Sequence, residues 1–522
     1  MTPSLTTEPA SRQEAPVRAQ SVAFRWIFPA LGVCSLLAAC VILSLKKQEW
    51  ADEVFTRTEL SDPSLLHLMH ALTRLGGAGM PLFYLTAWPW AHVFGLSDLS
   101  LRLYSSAGVC SAFLVLTAVM RRWFSARSAF LGVAFGMFAC MILVDQNGEA
   151  RGYGLYLLLC ALAIAQLLRV AENPRPGARA LGLLALSQAG LVLGHVLGLI
   201  FAGLLLLALA GADWKAGRLR WKVYACFAAG WLALLPWIPA IRASMAVAKP
   251  HGWILAPGIG DLIISSSYWL FAGIYFPLMH GTLFGVIAGW SCAIFCVGSL
   301  LFAASYGLRT ATPAQRAAYF VGFALMSGPL AFFIVSHIVS PIWVARYMVP
   351  AALGVGILAV CWADRNKIVR GVTGVVLGVA ILLLPIAAAA VAHPDFVNVA
   401  RVDQIADGRI VVSDWAPDFM VMLRYSADPA QQEFPLDWPA ALNGPPAAVG
   451  AYHLMANYRR DGYLTANLFD VDQVLAQKSF LVLDTRSTNW FQVAIANNPR
   501  FTWKVLAQID KTRRVIEVDQ RP

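Results

Sequence analysis

Carboxylates are scarce in the first 392 residues, and they are crowded. Only 14 of the chain's 29 acidic residues precede His393, and five of them, Glu49, Asp52, Glu53, Glu59 and Asp62, fall within one short stretch. A carboxylate held beside a hydroxyl at a water–lipid boundary can take its proton. Asp52, in Trp50-Ala51-Asp52-Glu53, reads as such a general base, although a solvated loop would use the same residue types. A second cluster, Asp145-Gln146-Asn147-Gly148-Glu149-Ala150-Arg151-Gly152-Tyr153, sets two acids and an arginine inside an otherwise apolar run. A tight turn needs polar residues in any case, yet an acid and an arginine beside lipid also suit a phosphorylated ligand. The third is Arg346 in Pro341-Ile342-Trp343-Val344-Ala345-Arg346-Tyr347. It is either an interfacial anchor with Trp343 and Tyr347 or a cation that receives a phosphate. Arg102 is a weaker candidate of the same kind. His67 and His70 stand three apart near Asp62, but two ligands without a third make a poor metal site.

These segments are far apart along the chain and can act together only if the elements between them bring them to one place. Composition says what those elements are. Of 522 residues, 58% are hydrophobic and 13% charged, with a mean hydropathy of +0.63; soluble chains carry about 25% charged residues. Too little polar surface remains to coat a globule, which excludes a purely cytosolic protein, a disordered chain and a secreted disulfide scaffold. The chain reads as an integral membrane protein. Its formal charge is +11, but the basic residues flank apolar runs as topology determinants do, so no nucleic-acid partner is expected. All nine cysteines lie within or at the ends of those runs, where cysteine behaves as a small hydrophobe. Neither a disulfide nor a thiolate metal site is expected.

A polar tail over residues 1–23 precedes an apolar run, 26–45, long enough to span a hydrocarbon core of about 30 Å. Ten further runs follow, at 101–120, 129–144, 153–168, 181–193, 196–210, 223–241, 283–306, 317–339, 348–362 and 372–392. The expectation is a polytopic α-helical membrane domain over 24–392 with about eleven transmembrane helices. Basic clusters between them, such as Arg121-Arg122 and Arg365 to Arg370, all face the cytoplasm only if 81–95 and 262–279 do not cross. Those two then lie at the outer surface. With the N-terminus cytoplasmic, the odd count places a first loop, 47–100, and the C-terminus outside; Lys46 and Lys47 at the outer end of the first helix run against the bias.

The tail, 393–522, changes register. It holds 13 Lys/Arg and 15 Asp/Glu. Residues 409–414 and 479–484 read as buried strands, 501–509 and 513–518 as a hairpin, and 418–425 as a helix. A small extracytoplasmic α/β domain with its own core is expected.

Taken alone, acids from two outer loops and an arginine from a third could converge on one outward pocket at a lipid surface. That suits a transferase acting on a lipid-linked phosphate. A transporter or flippase of a lipid-linked glycan is one alternative, which would carry charges deep within helices and discontinuous helices near the midplane; a non-catalytic assembly partner is another. Here the acids gather at one face, which favours the enzyme.

Over residues 24–392 the chain resembles the GT-C glycosyltransferases of the protein mannosyltransferase and aminoarabinose transferase type, which use polyprenyl-phosphate sugars. The matching pieces are Trp50-Ala51-Asp52-Glu53-Val54-Phe55, Met80-Pro81-Leu82-Phe83-Tyr84-Leu85, Leu101-Arg102-Leu103-Tyr104-Ser105, Gly148-Glu149-Ala150-Arg151-Gly152-Tyr153-Gly154-Leu155 and Arg346-Tyr347-Met348-Val349-Pro350. Met80, Tyr104 and Gly152 stand where the family pattern has proline. The resemblance implies a bacterial inner-membrane enzyme that moves a sugar, with inversion, from a polyprenyl-phosphate donor to a hydroxyl of a glycan, lipid or protein acceptor at the outer face. It implies Asp52 as the base, with Glu53 completing the catalytic acidic pair, and Arg346 on the donor phosphate. With the residue reading, it gives Arg102, Asp145, Glu149, Arg151, Tyr153 and Tyr347 as further substrate-binding residues. Some members require a divalent metal and others do not, so no cofactor is assigned.

Overall fold

The computed structural model describes residues 23–74, 79–248, 254–271, 273, 282–302, 308–390, 397–437, 446–485 and 490–521. Except for Ala23, the polar tail lies outside them, as does most of 272–281 in the expected surface stretch 262–279. Each of the eleven expected runs falls mostly on helix where it is described. Among the described residues, six helices are long and apolar enough to cross a bilayer: Phe24–Lys46, Asp98–Met120, Tyr153–Glu172, Gly198–Lys215, Trp221–Ala243 and Lys367–Ile386. Two bent pairs raise the number to eight if each is one span. The chain is a multi-pass membrane protein.

The bends are where the sequence reading differs most from the structure. The run 129–144 was continuous by hydropathy alone, yet helix Ala126–Ala139 stops at Cys140, which is extended (φ −87°, ψ 113°), and Met141–Asn147 leaves at 76°. The carbonyl of Ala139 finds its partner in the amide of Gly273, 2.8 Å away, so the break leaves no orphaned acceptor there. The run 317–339 turns by 46° between Pro313–Met326 and Gly328–Ile338, where Pro329 cannot continue the hydrogen-bond ladder.

The first elements are α1 (Phe28–Lys46), α2 (Ala51–Leu60), α3 (Leu65–Ala71), α4 (Pro81–Phe94), α5 (Asp98–Met120), α6 (Ala126–Ala139), α7 (Met141–Asn147) and α8 (Tyr153–Glu172). Helices α5 and α8 approach so closely that a Cβ on Gly154 would sit 1.9 Å from the Ser105 carbonyl oxygen. A Cβ on Gly108 would lie 2.4 Å from the Gly154 carbonyl carbon. Small residues at the contact let two backbones meet in lipid. The close approach fixes the ends of α5 and α8 side by side, with Arg102 on one and Arg151 just before the other.

Helices α2, α3 and α4 form the first loop, and α2 and α3 pack against the domain that carries a six-stranded sheet, order β3-β2-β1-β4-β6-β5. Its strands are β1 (Val411–Ser413), β2 (Gln432–Leu436), β3 (Leu468–Asp470), β4 (Ser479–Thr485), β5 (Phe501–Gln508) and β6 (Arg513–Gln520). The first four are parallel, and β6 and β5 add antiparallel. Strands β2 and β3 and the helix Pro446–Arg460 had no reading in the sequence; β2 carries Pro435 and β3 is three residues long. The sheet's core is not separate from the loop: Val54 and Ala71 share one apolar cluster with Phe419, Phe434, Tyr458 and Phe480.

Candidate active site

Helix α2 begins where Trp50 turns extended (φ −85°, ψ 168°) and Glu53, at the third helical position, accepts the Trp50 amide at 3.2 Å. A carboxylate in the first turn also meets the positive end of the helix. Glu53 does more than cap. Arg102 donates to both of its oxygens at 2.9 Å and to the carbonyls of Lys47 (2.8 Å) and Gln48 (3.1 Å). The Ala150 amide donates to Glu53 at 2.7 Å. Both charged side chains are fully buried. One ion pair therefore ties together the end of α1, the start of α2, the beginning of α5 and the turn before α8.

Asp52, one residue earlier, faces outward and keeps a quarter of its side chain exposed. Arg346 lies 3.2 Å from its Oδ2 and Arg151 lies 4.0 Å from the same atom. Arg151 is locked from behind: it donates to the Asp52 carbonyl at 2.9 Å and to Thr56 Oγ1 at 2.7 Å. Burial disfavours its charge, but the fields of Asp52, Tyr153, Tyr84 and Glu59 together more than offset this and hold its pKa above the ordinary value. Arg346 behaves likewise, with Tyr153 and Asp52 outweighing its burial. Its guanidinium stacks over the Trp50 ring at 5.1 Å and near Tyr347 at 5.7 Å.

Beside this pair lies a cavity of about 280 Å³ whose lining includes the charged Lys47, Asp145, Glu149 and Arg346 and the apolar Leu43 and Leu384. Lys47 reaches Glu149 at 3.8 Å. Burial raises the pKa of the Glu149 carboxyl, with Lys47 opposing it. Behind the arginines, Tyr153, Tyr156 and Tyr347 surround the buried ring of His195, with centroids 5.9, 5.1 and 5.4 Å away. Burial, then the two arginines, depress its pKa to about 3. His195 is thus a neutral wall, with the Leu197 amide donating to its Nδ1 at 3.1 Å.

Of the residues singled out in the sequence, Asp145, Glu149 and Arg346 line the cavity, Asp52 pairs with Arg346 and Arg151 beside it, and Tyr347 and the buried Tyr153 stand behind the arginines. Glu53 and Arg102 do not face it; having no exposed surface, they hold the loop that presents Asp52. Lys47, Trp50 and His195 were not singled out. Lys47 had one signal, its position on the wrong side of the charge bias. His195 had none beyond interrupting an apolar stretch. The three positions that depart from proline meet at one ring: a Cβ on Gly152 would lie 2.9 Å from Phe83 and 3.2 Å from the Met80 sulfur, and the Tyr104 ring is 5.8 Å from Phe83. His67 bonds Asp62 at 2.5 Å, and among the described residues no three metal-binding side chains cluster.

A partly exposed carboxylate flanked by two guanidiniums, beside a cavity lined by a lysine and by apolar side chains, can accept a proton next to a bound phosphodiester. No protein-family model matches the sequence, and no curated protein does. Solved structures do match. ArnT from Cupriavidus metallidurans, crystallised with undecaprenyl phosphate, superposes with a TM-score of 0.58 at 15% identity, over 95% of this chain and 98% of that one. The apo form of the same protein gives 0.56 at 14% identity, with the same coverage. The fold is the GT-C fold. In a GT-C frame of this kind, the paired ends of α5 and α8 and the first-loop helix α2 stand together at the end of the helical part that carries the sheet.

Proposed function

We propose that the chain is a membrane glycosyltransferase that moves a sugar from a polyprenyl-phosphate donor to an acceptor hydroxyl. The observation that carries this is the pairing of Asp52 with Arg346 at 3.2 Å and Arg151 at 4.0 Å, beside a cavity that Arg346 lines together with Lys47 and the apolar Leu43 and Leu384. The binding of undecaprenyl phosphate by ArnT, whose fold this chain shares, supports the donor class. Arg346 and Lys47 hold the donor phosphate and Leu43 and Leu384 border its isoprenoid. Asp52 takes the acceptor's proton as that oxygen bonds to the anomeric carbon. The carbon–oxygen bond to phosphate breaks with its electron pair leaving on the polyprenyl phosphate, where the cations stabilise it. Direct displacement inverts the anomeric centre.

With about eleven crossings taken from the apolar runs, and the N-terminus cytoplasmic and the sheet outside as the charge bias supports, this opening faces the outer side of a bacterial inner membrane. In that arrangement residues 24–392 form the catalytic membrane domain and 393–522 an extracytoplasmic domain. The test uses membranes carrying Asp52→Asn, supplied with radiolabelled undecaprenyl-phosphate pentoses and hexoses. Loss of label transfer, with the variant inserted and able to bind undecaprenyl phosphate, is expected. Transfer at the wild-type rate would remove Asp52 as the base.

A further inference from the structure

The face of α2 that carries Asp52 continues two turns on to a carboxylate the proposed reaction does not use. Asp52, Thr56 and Glu59 follow at four and three residues, so they lie on one side of the helix. Thr56 Oγ1 donates to the Asp52 carbonyl at 2.9 Å and receives Arg151. Glu59 is buried and accepts hydrogen bonds from two tyrosines on different elements: Tyr84 of α4, and Tyr458 of the helix Pro446–Arg460 at 3.0 Å. Arg151 lies close enough for its charge to act on both Asp52 and Glu59. Arg151 thus lies 4.0 Å from the Asp52 carboxylate and donates to Thr56, one turn from the buried Glu59 on the same face.

We infer that Glu59 is a positioning residue for the transfer, holding Arg151 against the back of Asp52, and that Tyr458 extends this hold into the sheet domain. The inference rests on the reading of Asp52 as base and adds to it a role for residues far from the pocket. An ionised Glu59 anchors Arg151, which keeps the Asp52 carboxylate aimed at the acceptor; a neutral Glu59 releases part of that pull. The groups facing Glu59 are Tyr84 from α4, Arg151 from the turn before α8, Asp52 on its own helix, and Tyr458 and Tyr463 from the sheet domain. Burial raises its pKa to about 7, while the hydroxyls of Tyr84 and Tyr458 and the charge of Arg151 pull it down.

The experiment is a pH profile of label transfer from an undecaprenyl-phosphate sugar between pH 5.5 and 9, with turnover and donor KM separated. Wild type is expected to gain turnover through pH 7. Glu59→Gln, which keeps the side chain's shape, should lose this limb and run about tenfold below the wild-type plateau, with donor KM within about twofold. Tyr458→Phe removes one hydroxyl that favours the ionised form, so its limb should move to higher pH. That displacement is something a merely structural role would not produce, and it remains readable if Glu59→Gln fails to accumulate. A Glu59→Gln profile superimposed on wild type, or an unmoved limb in Tyr458→Phe, would overturn the inference. If Asp52→Asn is dead while those variants behave as wild type, only the role of Glu59 falls. If Asp52→Asn transfers normally, the base falls, and the positioning with it.

Discussion

Replacing Arg102 by leucine offers the sharpest check on the idea that the buried pair presents the base without taking part in the reaction. The side chain has no exposed surface and makes four hydrogen bonds, two to Glu53 and two to backbone carbonyls. Its loss strands Glu53 as a lone buried charge, which costs about 3–5 kcal/mol; Glu53→Leu strands Arg102 at a similar cost. Were the sites independent, the double variant would lose about 6–10 kcal/mol. With no lone charge left, it should lose only about 3–5, most of it from the orphaned Ala150 amide and the carbonyls of Lys47 and Gln48. The assay is unfolding in mixed micelles followed by circular dichroism, read as a double-mutant cycle. Additive losses, or a single variant within about 1 kcal/mol of wild type, would refute the reasoning.

Arg346→Gln removes a charge-assisted contact of about 1.5–3 kcal/mol and should weaken undecaprenyl phosphate binding roughly 10- to 150-fold in a filter-binding assay. Arg346→Lys should restore only part of this, because a lysine cannot stack on Trp50. Glu59 has a folded pKa of about 7 against 4.5 when unfolded; the folded state binds the extra proton between these values, so stability falls as pH rises from about 4.5 to 7. Glu59→Gln should flatten that slope in melting curves. Gly154→Leu must push α8 off the Ser105 carbonyl and should abolish both accumulation and activity. Gly203→Ala, where nothing lies within 4 Å, should match wild type in membrane yield.

The membrane helices were legible because each needs a long apolar run and nothing else. What hydropathy could not see was direction. The break at Cys140 depends on a carbonyl satisfied by Gly273, far along the chain. Asp52, Arg151 and Arg346 could be singled out because charged residues in apolar surroundings stand out. The division of labour between Asp52 and Glu53 could not, since adjacent carboxylates look alike until Arg102 takes one of them. Likewise the shared core of Val54 and the sheet needs the fold, because an apolar residue in a loop carries no address. Met80, Tyr104 and Gly152 read as three separate departures from proline, and only the Phe83 ring shows them to be neighbours.

The polar contacts between the first loop and the sheet domain have a consequence in time. Glu59 and Tyr458 are 399 positions apart, and the Glu49 amide meets the Tyr425 hydroxyl across 376. At about 5–20 residues per second, the ribosome leaves α2 without these partners for roughly 20–80 s, while helix after helix is threaded into the bilayer. A nascent chain halted before Tyr425 therefore has Asp52 in place in the sequence but not in its final setting. Competence arrives late in synthesis, after most of the polypeptide has been inserted.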